Sequence, residues 1–181
     1  GMLLPVYVVS DMFGLYAYRH AFDRRVLAIV VPGAVLGIGV GWATASVVPE
    51  AAVTLLVGLI GVAFALNLLL RRPVVAEAKR AEVAPGLIWG AVTGFTSFVS
   101  HAGAPPYQVY TLPLGMTKAV FAGTSTIAFA IINAVKLVPY YALGQLNLEN
   151  LEMAAVLSGP AVIAVFAGVR LVRVMPARLF F

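Results

Sequence analysis

The sequence predicts an all-α fold, a polytopic transmembrane helix bundle, on three observations. Apolar residues fill 62% of the 181 positions and charged residues only 10%, against about 45–50% and about 25% in a soluble domain. The 12 Lys and Arg with 7 Asp and Glu are too few to cover a water-soluble domain of this length. Uncharged runs of about 20 residues, the size that crosses a bilayer, recur along the chain. None alternates as a barrel strand does, so the spans are helices. The net charge of +5 would suggest nucleic acid in a soluble protein. Here the basic residues lie between apolar runs, where the positive-inside effect accounts for them, and no nucleic-acid partner is expected. Cysteine is absent, which excludes disulfides, thiolate metal sites and iron–sulfur clusters. Neither a cofactor nor a metal is expected, and the partner implied throughout is the lipid bilayer.

Taken in order, residues 3–18 read as a first span interrupted by Asp11, and residues 26–48 and 51–70 as two uncharged spans. Residues 71–84, with Arg71, Arg72, Glu77, Lys79, Arg80 and Glu82, form the one sizeable polar linker. Residues 83–117 contain no acid, Lys or Arg, yet are too long for one helix. Gly103, Pro105, Pro106, Pro113 and Gly115 break the second half of that run, since proline removes a backbone donor and crowds the preceding turn. This predicts a Pro/Gly-broken, re-entrant helix hairpin. Residues 119–148 are apolar except for Lys136, and residues 153–169 are apolar throughout. The start of the chain has neither the basic residues nor the cleavage site of a signal peptide.

The basic residues sort by side. Arg19, Arg24 and Arg25 follow the first span, Arg71, Arg72, Lys79 and Arg80 follow the third, and Arg170, Arg173 and Arg178 close the last. The intervening connectors, 49–50 and 144–152, carry Glu50, Glu149 and Glu152 but no Lys or Arg. The basic side is read as cytoplasmic, and the protein as multi-pass in a bacterial inner membrane.

The sequence also matches itself. Tyr7, Asp11, Leu15 and Tyr18 fall on Phe129, Asn133, Leu137 and Tyr140, and Pro32 and Gly33 have a counterpart around Gly159 and Pro160. The first copy's helix ends among arginines and the second's in a connector free of them. The copies are therefore expected to cross in opposite directions, as inverted-topology repeats. Residues 1–72 are read as the first repeat, 73–84 as a cytoplasmic linker, and 85–181 as the second repeat. The first copy has no counterpart of residues 85–122, and the counterpart of residues 51–70 would run past Phe181. Each repeat is thus expected to be cut short, in a fragment of a longer chain.

The residues able to carry chemistry are few. Thr126, Phe129, Asn133, Lys136 and Tyr140 share one helical face, and Asp11 occupies the matching place in the first copy. An ionisable group in mid-span is costly and faces the protein interior or a water-filled cavity. Lys136 either binds an anion or relays a proton, or it snorkels to the interface. Asp11 either pairs with Lys136 or caps a helix break, and Asn133 is expected to donate an interhelical hydrogen bond. Ser97, Ser100 and His101 end an apolar helix before Gly103, Pro105 and Pro106. Freed N–H groups of the next half-helix offer an anion a seat, and the alternative is a turn that only lets helices pack. Gly33, Gly37, Gly41, Gly90 and Gly94 give the small-residue spacing of close-packed membrane helices. No phosphate loop, metalloprotease motif or nucleophile elbow is present.

The run from Gly94 through His101, Pro105, Pro106, Tyr110 and Pro113, then Lys118, Gly123, Thr124, Asn133, Lys136, Pro139, Tyr140, Gly144 and Gln145, closely resembles the second repeat of the TauE/SafE family. Asp11, Tyr18, Arg19, Asp23, Arg24, Arg25, Pro32 and Gly33 resemble its first repeat. The resemblance covers nearly the whole chain, apart from the family's glycine-rich N-terminal motif. It implies a secondary transporter, not an enzyme, that exports or takes up small anions such as sulfite, other sulfur oxyanions or organosulfonates. The expected substrate-binding residues are His101, Pro105, Pro106, Tyr110, Asn133, Lys136, Tyr140 and Asp11, with His101 and Asp11 the candidates for proton coupling. A non-transporting subunit or scaffold, or an intramembrane enzyme, are the competing readings. A homo-oligomer is left open.

Overall fold

The computed structural model describes residues 2–45, 47, 49–70, 78–176 and 180. Arg71, Arg72, Glu77 and Arg178, which enter the charge-sorting argument, lie outside the described residues. The α-helices are α1 (Leu3–Tyr18), α2 (Arg24–Thr44), α3 (Glu50–Leu70), α4 (Val83–Ser100), α5 (Ala104–Thr111), α6 (Lys118–Ala142) and α7 (Leu148–Val174), with a 3-10 turn at Leu112–Leu114. Among the described residues four helices, α2, α4, α6 and α7, are long and apolar enough to cross a membrane. With 16 residues, α1 extends about 24 Å at 1.5 Å per residue, somewhat less than the bilayer core.

Capping fixes several boundaries. The Asp23 carboxylate accepts from the N–H groups of Arg25 and Val26, at 2.8 and 3.0 Å, and starts α2. α7 begins at Leu148 rather than near Met153, because Asn147 Oδ1 accepts from the Asn150 N–H at 2.9 Å. Glu149 in the first turn suits the helix dipole there.

The chain forms two compact units that interleave in sequence, Gly1–Leu27 with Thr117–Phe181, and Ala28–Met116. The packing units therefore do not coincide with the residue ranges of the sequence repeat.

In the first unit α1 packs on α6 and α7. Asp11 meets Asn133, Gly14 meets Thr126, and Tyr18 meets Gly123. Ascending positions on α1 thus meet descending ones on α6, so the two helices run antiparallel. Phe13 and Phe166 stack edge to face at 5.8 Å between α1 and α7. At the end where α1 finishes, α6 starts. There Lys118 Nζ donates to the carbonyls of Arg173 and Met175, at 3.0 and 2.6 Å, and closes the C-terminus of α7. The carbonyls left over at a helix end need such partners. Thr124, fully buried, accepts from the Asp23 N–H at 2.9 Å and fastens the α1–α2 connector to α6.

In the second unit α2 and α4 meet along a glycine seam. A side chain at Gly37 would collide with the backbone of Ala91 and Phe95, and one at Gly94 with the backbone of Ala34. Glycine lets helix backbones approach closely where lipid leaves no hydrophobic drive to associate. The spacing of Gly33, Gly37, Gly90 and Gly94 predicted close helix packing, and the structure makes α2 and α4 the partners. α3 packs on α4 and α5, and α4 with α5 forms a hairpin. Two hydrogen bonds close its open end. The Lys79 N–H donates to the Pro113 carbonyl at 3.0 Å, and the Tyr110 hydroxyl donates to the Glu82 carbonyl at 2.9 Å.

Candidate functional site

Lys136 sits in the second turn from the end of α6, on the face that meets α1. It is fully buried, as is Leu4 on α1. Its ammonium does not reach the surface of the unit. Two groups flank it. The Tyr140 ring, 5% exposed, lies one helical turn on, with its centroid 6.0 Å from Nζ. Asn133, 6% exposed, lies three residues back on the same face. Asp11 reaches across from α1 to Asn133.

Asn133 Nδ2 donates to Asp11 Oδ2 at 2.8 Å. Asn133 is the interhelical donor the sequence leads one to expect, and Asp11 is tied to α6 rather than capping a break in α1. α1 is continuous from Leu3 to Tyr18. A buried lysine with an amide and an aromatic face beside it, and a carboxylate bonded to that amide, forms a polar cluster inside the unit. A low-polarity setting strengthens the lysine's attraction for any anion that enters.

The second unit holds the other predicted residues. α4 ends at Ser100, and His101 is its C-cap with φ 55° and ψ 16°. Among the described residues it is the sole non-glycine with positive φ. Left-handed backbone favours glycine and costs other residues about 1 kcal/mol or more. Its N–H closes the helix by donating to the Ser97 carbonyl at 3.2 Å. Pro105 and Pro106 stand in the first turn of α5, so the break falls where glycine and proline predicted it.

One detail differs from the sequence expectation. The prolines remove donors from the first turn of α5, and the Tyr107 N–H bonds the Gly103 carbonyl. The start of α5 therefore offers an anion few free N–H groups. The Tyr110 hydroxyl donates to the Glu82 carbonyl at the beginning of α4, about 28 Å along that helix from His101. Tyr110 is a clamp of the hairpin. The hydroxyls of Thr96, Ser100 and Thr111 donate to carbonyls one turn back in their own helices.

Sequence reasoning passed over Asp23 as a helix cap, although an acid directly before an apolar run signals one. It also passed over Lys118 as a cap for α7, for which no local signal exists, because the two ends are far apart in sequence. Among the described residues no group of three or more His, Asp or Glu could hold a metal.

With this geometry in view, the family comparison is decisive: the model of the sulfite exporter TauE/SafE family matches residues 1–181. The chain belongs to the TauE/SafE family. TauE/SafE proteins are membrane transporters for sulfur anions, not enzymes. No curated protein and no solved structure matches this TauE/SafE chain significantly.

Proposed function

We propose that the chain is a secondary transporter of small sulfur anions, sulfite, another sulfur oxyanion or an organosulfonate, working in a bacterial inner membrane. The observation that carries this is Lys136, a fully buried lysine flanked by Asn133 and Tyr140, with Asp11 bonded to Asn133 from α1. An entering oxyanion takes over from Asp11 as counter-charge to Lys136, and the Asn133 amide turns from carboxylate to substrate. Asp11, released from its pairing, is then the group that exchanges a proton with the transport cycle. His101 is held in a strained conformation at a helix break, where strain persists only if the surroundings enforce it. It is the second candidate for proton coupling, beside Pro105 and Pro106, which set the break.

Inverted repeats supply the alternating access. Two observations support them: matched positions Asp11 and Asn133 touch, and the matched helices α1 and α6 run antiparallel. The re-entrant character of the α4–α5 hairpin is supported by the bonds that return its end to its start. Reporters fused within residues 78–84 and within residues 145–150 should lie on opposite sides of the membrane.

The transport reading is tested by flux in proteoliposomes with labelled sulfite, thiosulfate, taurine and sulfoacetate. Saturable flux of at least one is expected. Correctly inserted protein that moves none of them overturns it.

A further inference from the structure

The second unit contains a cavity of about 210 Å³ at the open end of the α4–α5 hairpin. Lys79, Arg80, Glu82, Trp89, Tyr110 and Pro113 line it. The transport reading uses none of it except Tyr110, as a clamp.

The cavity is built by the fold. The Lys79 backbone is pinned to Pro113, and Tyr110 is pinned to Glu82. These two bonds hold the linker's last residues over the start of α4, so Lys79 and Arg80 face the mouth. The start of α4 adds to the positive field: Glu82 makes no side-chain cap bond, so the Val83 and Ala84 N–H groups have no side-chain cap, while Pro85 has no N–H to offer. Two cations and a helix N-terminus thus stand against a single carboxylate.

The surroundings identify the source of the anion. Trp89 brings an aromatic ring of the kind that settles at headgroup depth. α4 is a candidate membrane span that starts at Val83, so the cavity lies at the end of a span. Lipid headgroups lie at that depth, and acyl chains hanging from a bound headgroup would run along the span. We propose that this cavity binds the phosphate headgroup of an anionic phospholipid from the leaflet on the basic side of the protein. Lys79 and Arg80 hold the phosphate oxygens, Trp89 packs on the glycerol region, and the chains run down α4. The shared chemistry is an oxyanion, and a free phosphate is the competing source.

The test is lipid retention in native mass spectrometry of the detergent-solubilised protein, comparing phosphatidylglycerol with phosphatidylcholine, with inorganic phosphate as a separate arm. Wild-type protein should retain phosphatidylglycerol in preference. The K79Q/R80Q variant should lose that preference by about 30-fold, at about fivefold for each cation near a membrane surface. The K79R/R80K variant should keep it, and E82Q should strengthen it. Equal retention of both lipids by wild type, or an unchanged preference in K79Q/R80Q, overturns the proposal. Phosphate binding without any lipid preference also overturns it and assigns the cavity to a free oxyanion. Sulfur-anion flux does not enter this readout, so its outcome is independent of the transport reading.

Discussion

Asn133 donates to Asp11 across 2.8 Å, and the two residues are 122 positions apart in the chain. That separation is also the offset at which the sequence matches itself. Equivalent positions of two related copies can touch only near the axis relating them, so the pair marks where such an axis would run.

Exchanging the two residues tests this. Asp11→Asn combined with Asn133→Asp preserves one amide–carboxylate bond in nearly the same place, and the double variant should melt close to the wild type in detergent. Asp11→Leu alone leaves the Asn133 amide without its acceptor and should cost about 0.6–1.7 kcal/mol, the range for interhelical hydrogen bonds in membranes. A double variant less stable than the single one would count against the symmetric placement.

The glycine seam gives a sharper contrast within one helix. Gly37→Leu drives a side chain into the backbone of α4 and should abolish monodisperse protein in size-exclusion chromatography. Gly39→Leu, where nothing lies within 4 Å, should elute as wild type. Equal behaviour of the two variants would show that α2 does not pack on α4 through Gly37.

Helix spans, the break near Pro105 and the glycine seam were legible in the sequence because each depends on local composition or on a fixed spacing. Asn133 was legible as a donor for the same reason, since a polar amide in mid-helix needs a partner wherever that partner comes from. The partner's identity was open between several residues until α1 was set beside α6. The Tyr110 bond to Glu82, 28 residues earlier, was not legible, because the neighbours of Tyr110 in sequence are those of the break. Lys118 and the cavity at Lys79 were invisible for that reason too, as both join segments remote along the chain.

Lys118→Met removes the ammonium that closes α7 and keeps the apolar stem. Amides in the last turn of α7 should exchange with solvent faster by hydrogen–deuterium exchange, with the remainder of that helix unchanged. Uniform protection in both proteins would deny Lys118 a capping role.

His101→Gly relieves a left-handed backbone that glycine adopts freely. The variant should be more stable by up to about 1 kcal/mol, read as a higher melting temperature, and should transport more slowly. A variant both more stable and fully active would make His101 an accident of the turn.

The most direct test of the account is anion affinity after Lys136→Met. Methionine retains the length and apolar stem, so expression and insertion should be normal. Loss of one charged hydrogen bond removes about 1.5–3 kcal/mol, so apparent affinity for the transported sulfur anion in proteoliposomes should fall by about 10- to 150-fold. Lys136→Arg keeps the charge but alters its shape and hydration, and it need not restore affinity. Transport by Lys136→Met at unchanged apparent affinity would contradict the account and remove Lys136 from the site.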